Sequence, residues 1–378
     1  MAYLDNSATT QPCQAAIDAM VKCMTEGFYN PSSVYAPAVD AFRAVRECRE
    51  TLLRAIHADN CDLYFTSGGT EANNLAIIGA VHRMRGRQVL AVSAVEHPSV
   101  REAFEFLAGE GHDVRVIGVN ESGELNWEQL ERALDDGASL VSCMQVNNET
   151  GALLDAAKLH KTVAGRALIH VDGVQGFLRV PFEMKYADLY TLSGHKIHGP
   201  KGIGALVVRK GVRLEPRQIG GGQESGMRSG TENTPGIAGL CAAAKELIKV
   251  QSTMGRELME KKLHLLEAFR SAVPELMVNG PEPEKAAPHI VNLSFPNVRG
   301  EVMLHALEAE GVYASTGSAC SSKKLKVSGV LTAMGVRPER AEWALRFSLS
   351  PHTTVEEIDL AAKKLGAVYD LLKRFKRR

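Results

Sequence analysis

The sequence predicts an α/β fold: a mostly parallel sheet flanked by helices, with a smaller α+β unit beside it. Three observations carry this. Between residues 63 and 208, short apolar runs alternate with segments of helical spacing, the pattern of parallel strands joined by crossover helices. After Val273 the pattern changes to short strands with fewer crossovers. The chain has 378 residues, more than one ordinary core holds. A larger unit is therefore expected over residues 14–252, and a smaller one from residues 1–13 and 253–378.

The elements follow in order. Tyr3 to Thr10 reads as a short strand and a turn, stopped by Pro12. Ala15 to Met24 and Ala38 to Ile56 are helices, the second without internal glycine or proline. Asn30-Pro31-Ser32-Ser33 between them has turn chemistry. The strand Leu63 to Thr66 passes through Ser67-Gly68-Gly69-Thr70-Glu71 into a helix, Ala72 to His82. Strands are expected at Val89 to Ser93, Asp113 to Val119, Leu140 to Val146, Leu168 to Val171 and Leu189 to Leu192. Val100 to Gly109 and Asn126 to Leu134 are intervening helices. A glycine-broken turn, Gly199 to Gly204, leads to a strand at Ala205 to Val208. The glycine-rich stretch Ile219 to Thr234 has no periodicity and reads as a functional loop. Pro235 to Val273 is one or two long helices with a break at Gly255, and the smaller unit has strands at Ile290 to Phe295 and Ala344 to Leu349. Its helices are Glu301 to Glu310 and Val355 to Phe375; the basic ending Lys373 to Arg378 reads as a solvated helix end.

Composition excludes several classes of function. Lys plus Arg and Asp plus Glu are each 44, which gives no support for nucleic acid or an anionic membrane as the main partner. No apolar run approaches a membrane span, and the N-terminus lacks a secretory pattern. The seven cysteines are widely spaced and include no Cys-x-x-Cys pair, so neither a disulfide framework nor a metal site is expected. A reducing, cytoplasmic compartment suits them.

Chemistry-bearing residues collect where strands end. Thr70, His97, Asn148 and Asp172 all follow strands, and ligands of open α/β sheets bind at that edge. Singly, each reads as a cap or a turn former. The glycine pair before the helix at Ala72 can turn backbone N–H groups toward an anion, although a tight, capped connection explains it equally well. Lys196 lies at the mouth of a strand–turn–strand, flanked by Ser193, His195 and His198. Such a lysine can be a surface cation, an anion ligand or a Schiff-base amine. In the smaller unit, Cys320 stands among small residues, Ala314 to Ser322, with Lys323, Lys324 and Lys326 following to favour its thiolate.

With these residues in view, the chain resembles the cysteine desulfurases of the NifS/IscS type, in the fold-type I, class-V aminotransferase superfamily. The motifs run in order along nearly the whole chain: Tyr3 to Thr10, Thr66 to Glu71, Glu96-His97, Val146 to Glu149, His170 to Gln175, Ser193-Gly194-His195-Lys196, Arg228 to Thr231, and Gly317-Ser318-Ala319-Cys320. The resemblance implies a seven-stranded sheet in a unit that binds pyridoxal 5'-phosphate (PLP). It implies Lys196 as the Schiff-base lysine, and Gly69, Thr70, Ser193 and His195 at the cofactor's phosphate. Asp172 is implied at the ring nitrogen, Asn148 and Gln175 at the ring hydroxyl, and His97 stacked on the ring as acid–base. Thr231 is implied to arrive from a second subunit of a homodimer. Arg346 and Asn30 would bind the carboxylate of L-cysteine. Cys320 would take the sulfur as a persulfide, leaving L-alanine, for a sulfur-acceptor protein such as an iron–sulfur scaffold or a tRNA-thiolation enzyme. Two positions depart from the family: Tyr35 and Ala38 stand where histidine and glycine are frequent. A selenocysteine lyase and a class-V transaminase are the alternatives; a transaminase needs no cysteine at position 320.

Overall fold

The computed structural model describes residues 1–317 and 327–375. The largest sheet has seven strands, in the order Cys61–Thr66, Gly204–Arg209, Leu189–Ser193, Leu168–Asp172, Ala138–Met144, Val89–Ser93 and Asp113–Ile117. Its neighbours pair in parallel except around Gly204–Arg209, which runs against Leu189–Ser193 on one side and Cys61–Thr66 on the other. The exception has a simple cause. A parallel return needs a crossover of a dozen or more residues, and the chain between Ser193 and Gly204 is too short to supply one. Leu189–Ser193 is buried along its whole length, as expected of a strand covered on both faces.

The helix Gly69–Arg83 lies against this sheet and buries nearly every residue from Ala72 to Val81. Its near-continuous run of Ala, Leu, Ile and Gly reflects a helix covered on most sides rather than an amphipathic one. The strand Ala138–Met144 stops two residues earlier than the apolar pattern suggests. The reason is Asn147, whose Oδ1 accepts from the backbone N–H groups of Glu149 (3.0 Å) and Thr150 (2.9 Å) and turns the chain.

Residues 234–272 form one helix, Thr234–Ala272, with no break at Gly255. The Asn233 side chain caps its start by accepting from Gly236 N–H at 3.0 Å. A mid-helix glycine costs about 1 kcal/mol. Met254, Leu258, Leu265 and Phe269 are buried along the same helix and offset that cost. The expected division at 252–253 therefore falls inside a continuous helix.

A three-stranded antiparallel sheet, Met277–Asn279, Ile290–Ser294 and Ala344–Ser348, carries Gly300–Ala309 and Val355–Phe375 nearby. The strands Met277–Asn279 and Val312–Tyr313 and the helices Gly329–Ala333 and Pro338–Glu342 escape sequence reading, because elements this short show no periodicity. Ala2–Tyr3 pairs in parallel with Val312–Tyr313. No helix among the described residues is long and apolar enough to cross a membrane.

His170 sits in the middle of the large sheet, fully buried, between Ser142 Oγ (2.7 Å) and Thr191 Oγ1 (3.2 Å). Burial lowers its pKa from 6.5 to about 4. The unfolded chain takes up a proton below 6.5 that the folded chain refuses, so stability falls as pH drops from 6.5 toward 4. By pH 5 the loss is about 2 kcal/mol. Urea titrations at pH 7 and pH 5 are expected to show a smaller drop in His170→Gln than in the wild type, by about that amount. Equal drops would mean that His170 does not carry this term.

Candidate active site

Lys196 ends a short turn, Gly194–Lys196, that follows the strand Leu189–Ser193 at the carboxyl edge of the parallel strands. Its Nζ donates to the backbone carbonyls of Ser7 (2.6 Å) and Ala8 (2.7 Å). The N-terminal segment reaches it because residues 10–13 bond directly to residues 195–198. Thr10 N–H donates to the His195 carbonyl (2.9 Å), His198 N–H to Thr10 Oγ1 (2.8 Å) and Cys13 N–H to the His198 carbonyl (2.9 Å). The His195 ring contacts Thr9 Oγ1 at 3.2 Å. Burial, then Lys196 and Lys201, lowers its pKa to about 4, so the ring is neutral at pH 7.

Asp172 ends the neighbouring strand and is buried. Its Oδ2 accepts from Asn73 Nδ2 (2.8 Å) and its Oδ1 from Val174 N–H (3.0 Å). Asn73 Nδ2 also donates to Ser99 Oγ at 2.9 Å. Ser99 in turn gives both its N–H (3.1 Å) and its hydroxyl (2.8 Å) to Nδ1 of His97. Nδ1 is thus an acceptor, and the neutral imidazole carries its proton on Nε2. Burial lowers the His97 pKa; Asp172 opposes this and Lys196 adds to it, so all three groups share one electrostatic neighbourhood. His97 also caps the helix Pro98–Gly109. A cleft of about 420 Å³ opens beside it, lined among others by Thr70, Ser99 and Arg217.

Gln175 follows Asp172 by one turn. Its Nε2 donates to the Ser7 carbonyl (2.9 Å), which Lys196 also uses, and its Oε1 accepts from Arg179 (2.6 Å). Gly69 opens its helix directly beneath this turn: a Cβ there would lie 2.6 Å from Val174 Cγ2 and 3.7 Å from Ser193 Cβ. Gly68, Gly69, Thr70 and Ser193 are therefore adjacent, with the N-terminus of Gly69–Arg83 beside them. Arg346 is buried on Ala344–Ser348, where its Nη2 pairs with Asp5 (2.7 Å) and its Nη1 donates to the Asn148 carbonyl (2.9 Å).

Two expected residues stand apart. Asn30 is exposed, and its Oδ1 accepts from Ser32 N–H at 2.9 Å, the turn its sequence predicts. Thr231 is exposed in the glycine-rich loop. That loop is pinned to the molecule on either side of its tip. Glu224 makes a bidentate pair with Arg49 (2.9 Å each) and accepts from Phe65 N–H (2.9 Å), and Arg228 pairs with Glu71 (2.7 Å). Cys320 lies outside the described residues.

Sequence reading missed Asn73, Ser99, Asp5 and Arg179, together with the Ser7 and Ala8 carbonyls. Asn73 sits in mid-helix, where asparagine is a poor helix former; that was the one available signal. Asp5 belongs to a stretch already singled out and Arg179 to none; the partners of both are set by the tertiary fold.

Residues 2–360 match the family model described as aminotransferase class-V. A cysteine desulfurase from a Nostoc species is 38% identical over 375 residues, 98% of this chain and 93% of that protein. Among solved structures, one described as a NifS-like protein superimposes with a TM-score of 0.91 at 30% identity, covering 98% of this chain and 100% of that one. Another, described as SspA in complex with cysteine, gives 0.80 at 29% identity, covering 94% and 100%. With its strand-end lysine, aspartate and histidine set on this framework, the chain belongs to the class-V aminotransferase family, among the cysteine desulfurases of the NifS/IscS type.

Proposed function

We propose that the protein is a PLP-dependent cysteine desulfurase that converts L-cysteine to L-alanine and leaves the sulfur on Cys320 as a persulfide. The observation that carries the reading is the Lys196 amine, held at the carboxyl edge of the sheet in one neighbourhood with Asp172 and His97. The residues fit the cofactor. Asn148 Oδ1 and Ser7 Oγ are buried without a partner among the described residues, so polar groups await a ligand. The Gly68–Gly69 turn leaves helix-start N–H groups for a phosphate, with Thr70, Ser193 and His195 around them.

When bound, the cofactor supplies an electron sink that labilises bonds at the substrate's Cα. The protein's own residues do the rest. Lys196 holds the cofactor through Nζ and then carries a proton at that atom. Asp172, already oriented by Asn73 and Val174, keeps a carboxylate oxygen for a protonated ring nitrogen. Asn148 and Gln175 supply hydrogen bonds at the ring hydroxyl. His97 offers its Nε2 proton from a neutral ring. Arg346, its fork set by Asp5 and the Asn148 carbonyl, is the candidate for the substrate carboxylate, with Asn30 assisting. The Cys320 thiolate attacks the substrate sulfur; the carbon–sulfur bond breaks, a sulfur–sulfur bond forms, and protonation of the three-carbon remnant gives alanine.

We extend the reading to the assembly. Thr231, exposed near the pinned end of the glycine-rich loop, completes the phosphate site of a second subunit in a homodimer. The persulfide passes to a sulfur-acceptor protein, an iron–sulfur scaffold or a tRNA-thiolation enzyme, in the cytoplasm. Residues 14–252 form the cofactor-binding unit, and residues 1–13 with 253–378 the unit that carries Cys320.

Two substitutions test this. Lys196→Ala is expected to lose the visible absorption of bound PLP and to cut alanine release by at least a thousandfold; wild-type absorption and turnover would show that another lysine is used. Cys320→Ser exchanges a thiolate for a hydroxyl that is scarcely ionised at neutral pH. It should bind PLP and respond spectrally to L-cysteine, yet release almost no alanine, so the loss falls on kcat rather than on binding. Mass spectrometry of the wild type after L-cysteine should find one added sulfur on the Cys320 peptide. Wild-type alanine and sulfide release from Cys320→Ser would instead point to a lyase that needs no protein nucleophile.

A further inference from the structure

Arg179 is a buried guanidinium that pairs with no carboxylate among the described residues. It is 5% exposed, its Nη2 donates to Gln175 Oε1 (2.6 Å) and to the Val174 carbonyl (3.5 Å), and its Nε has no partner among the described residues. The charged and titratable groups that face it are the Tyr190 hydroxyl, the rings of His195 and His198, and the ring of His289, which also faces Lys262. None is an anion at neutral pH. Burial holds the Arg179 pKa down to about 9, still cationic at pH 7. An unpaired buried charge is costly, and an apolar side chain would pack there more favourably. The turn that aims it inward is also strained, because Leu178, just before it, adopts φ +60°.

We propose that Arg179 is a positioning residue: its guanidinium fixes the Gln175 amide with Oε1 turned inward and Nε2 turned toward Lys196 and the ligand it holds. The donor chemistry allows one orientation only. Arg179 can only donate, so Oε1 must face it; the Ser7 carbonyl can only accept, so Nε2 must face that. The Ser7 carbonyl accepts from both Gln175 Nε2 (2.9 Å) and Lys196 Nζ (2.6 Å), so the chain of bonds runs from Arg179 to the amine of Lys196 in three steps. Without Arg179 the Ser7 carbonyl alone holds the amide and the buried Oε1 loses its donor, so the Nε2 offered to the cofactor's ring oxygen is held less firmly. Arg179 touches neither substrate nor cofactor and acts only through Gln175.

The proposal rests on the PLP reading, and the experiment separates the two. PLP dissociation constants and the pH midpoint of the cofactor's visible absorption are measured on the loaded dimer for wild type, Arg179→Met, Gln175→Ala and the double variant. Arg179→Met should weaken PLP binding about tenfold and move the midpoint by about half a pH unit, the scale of one lost buried hydrogen bond. Gln175→Ala should do the same, and the double variant no more than either, since both act through one contact. Arg179→Lys, which keeps a charge and a donor, should fall between wild type and Arg179→Met; it replaces Arg179→Met in the cycle should the latter not fold. A folded Arg179→Met with the wild-type midpoint and affinity, or strictly additive effects in the double variant, overturns the positioning role. A wild type with no PLP absorption overturns the cofactor reading instead.

Discussion

One ammonium held by two backbone carbonyls organises the molecule. Lys196 reaches the Ser7 and Ala8 carbonyls only because the first thirteen residues are threaded between two sheets. On one side this segment bonds to residues 195–198 at the edge of the large sheet. On the other it bonds to the end of Ala344–Ser348. Ser348 N–H donates to the Leu4 carbonyl (2.7 Å), and its Oγ accepts from Ser7 N–H (2.8 Å). Asn6 Nδ2 donates to the Ser348 carbonyl (3.0 Å). Asp5 adds the pair with Arg346. Placement of the amine thus depends on both sheets at once, and a shift in either is felt at Nζ.

The electrostatics follow the same economy. Lys196 brings a cation and Asp172 a carboxylate into one half-buried region, while His97, His170 and His195 are all held neutral by burial. Neutral imidazoles beside a cation add hydrogen-bonding capacity without further like charge. Polar groups here are oriented by other polar groups rather than by solvent. The line Asp172–Asn73–Ser99–His97 is a continuous set of donors and acceptors in which each hydrogen has one evident destination.

The strands and most helices of the large sheet were legible because their patterns are long and periodic. Lys196, Asp172 and His97 were legible because a polar residue just after an apolar strand is conspicuous. What the sequence hid was partnership. Asp5 and Arg346 are more than three hundred positions apart, and nothing local to either marks the other. Asn73 carries no motif beyond an unfavourable helix residue. Arg179 looks like a surface turn residue until the fold buries it. The continuity of Thr234–Ala272 through Gly255 was equally hidden, since burial of neighbouring side chains, not local propensity, decides it.

Glu149 shows how far one buried group can reach across such a site. It is 7% exposed, and burial raises its pKa against the opposing pull of Arg346. Ser328 Oγ donates to its Oε2 at 2.5 Å, within the short range of a hydroxyl on a carboxyl oxygen. On the other side stands Gly317, at φ +81°, where a Cβ would lie 2.8 Å from that same oxygen. The Glu149 carbonyl accepts from Asn292 Nδ2 (3.3 Å), in the three-stranded sheet, and the Asn148 carbonyl holds Arg346. The two described flanks of the span that contains Cys320 therefore meet at one carboxyl group, one residue past Asn148: Ser328 is bonded to it, and Gly317 has no room for a Cβ beside it.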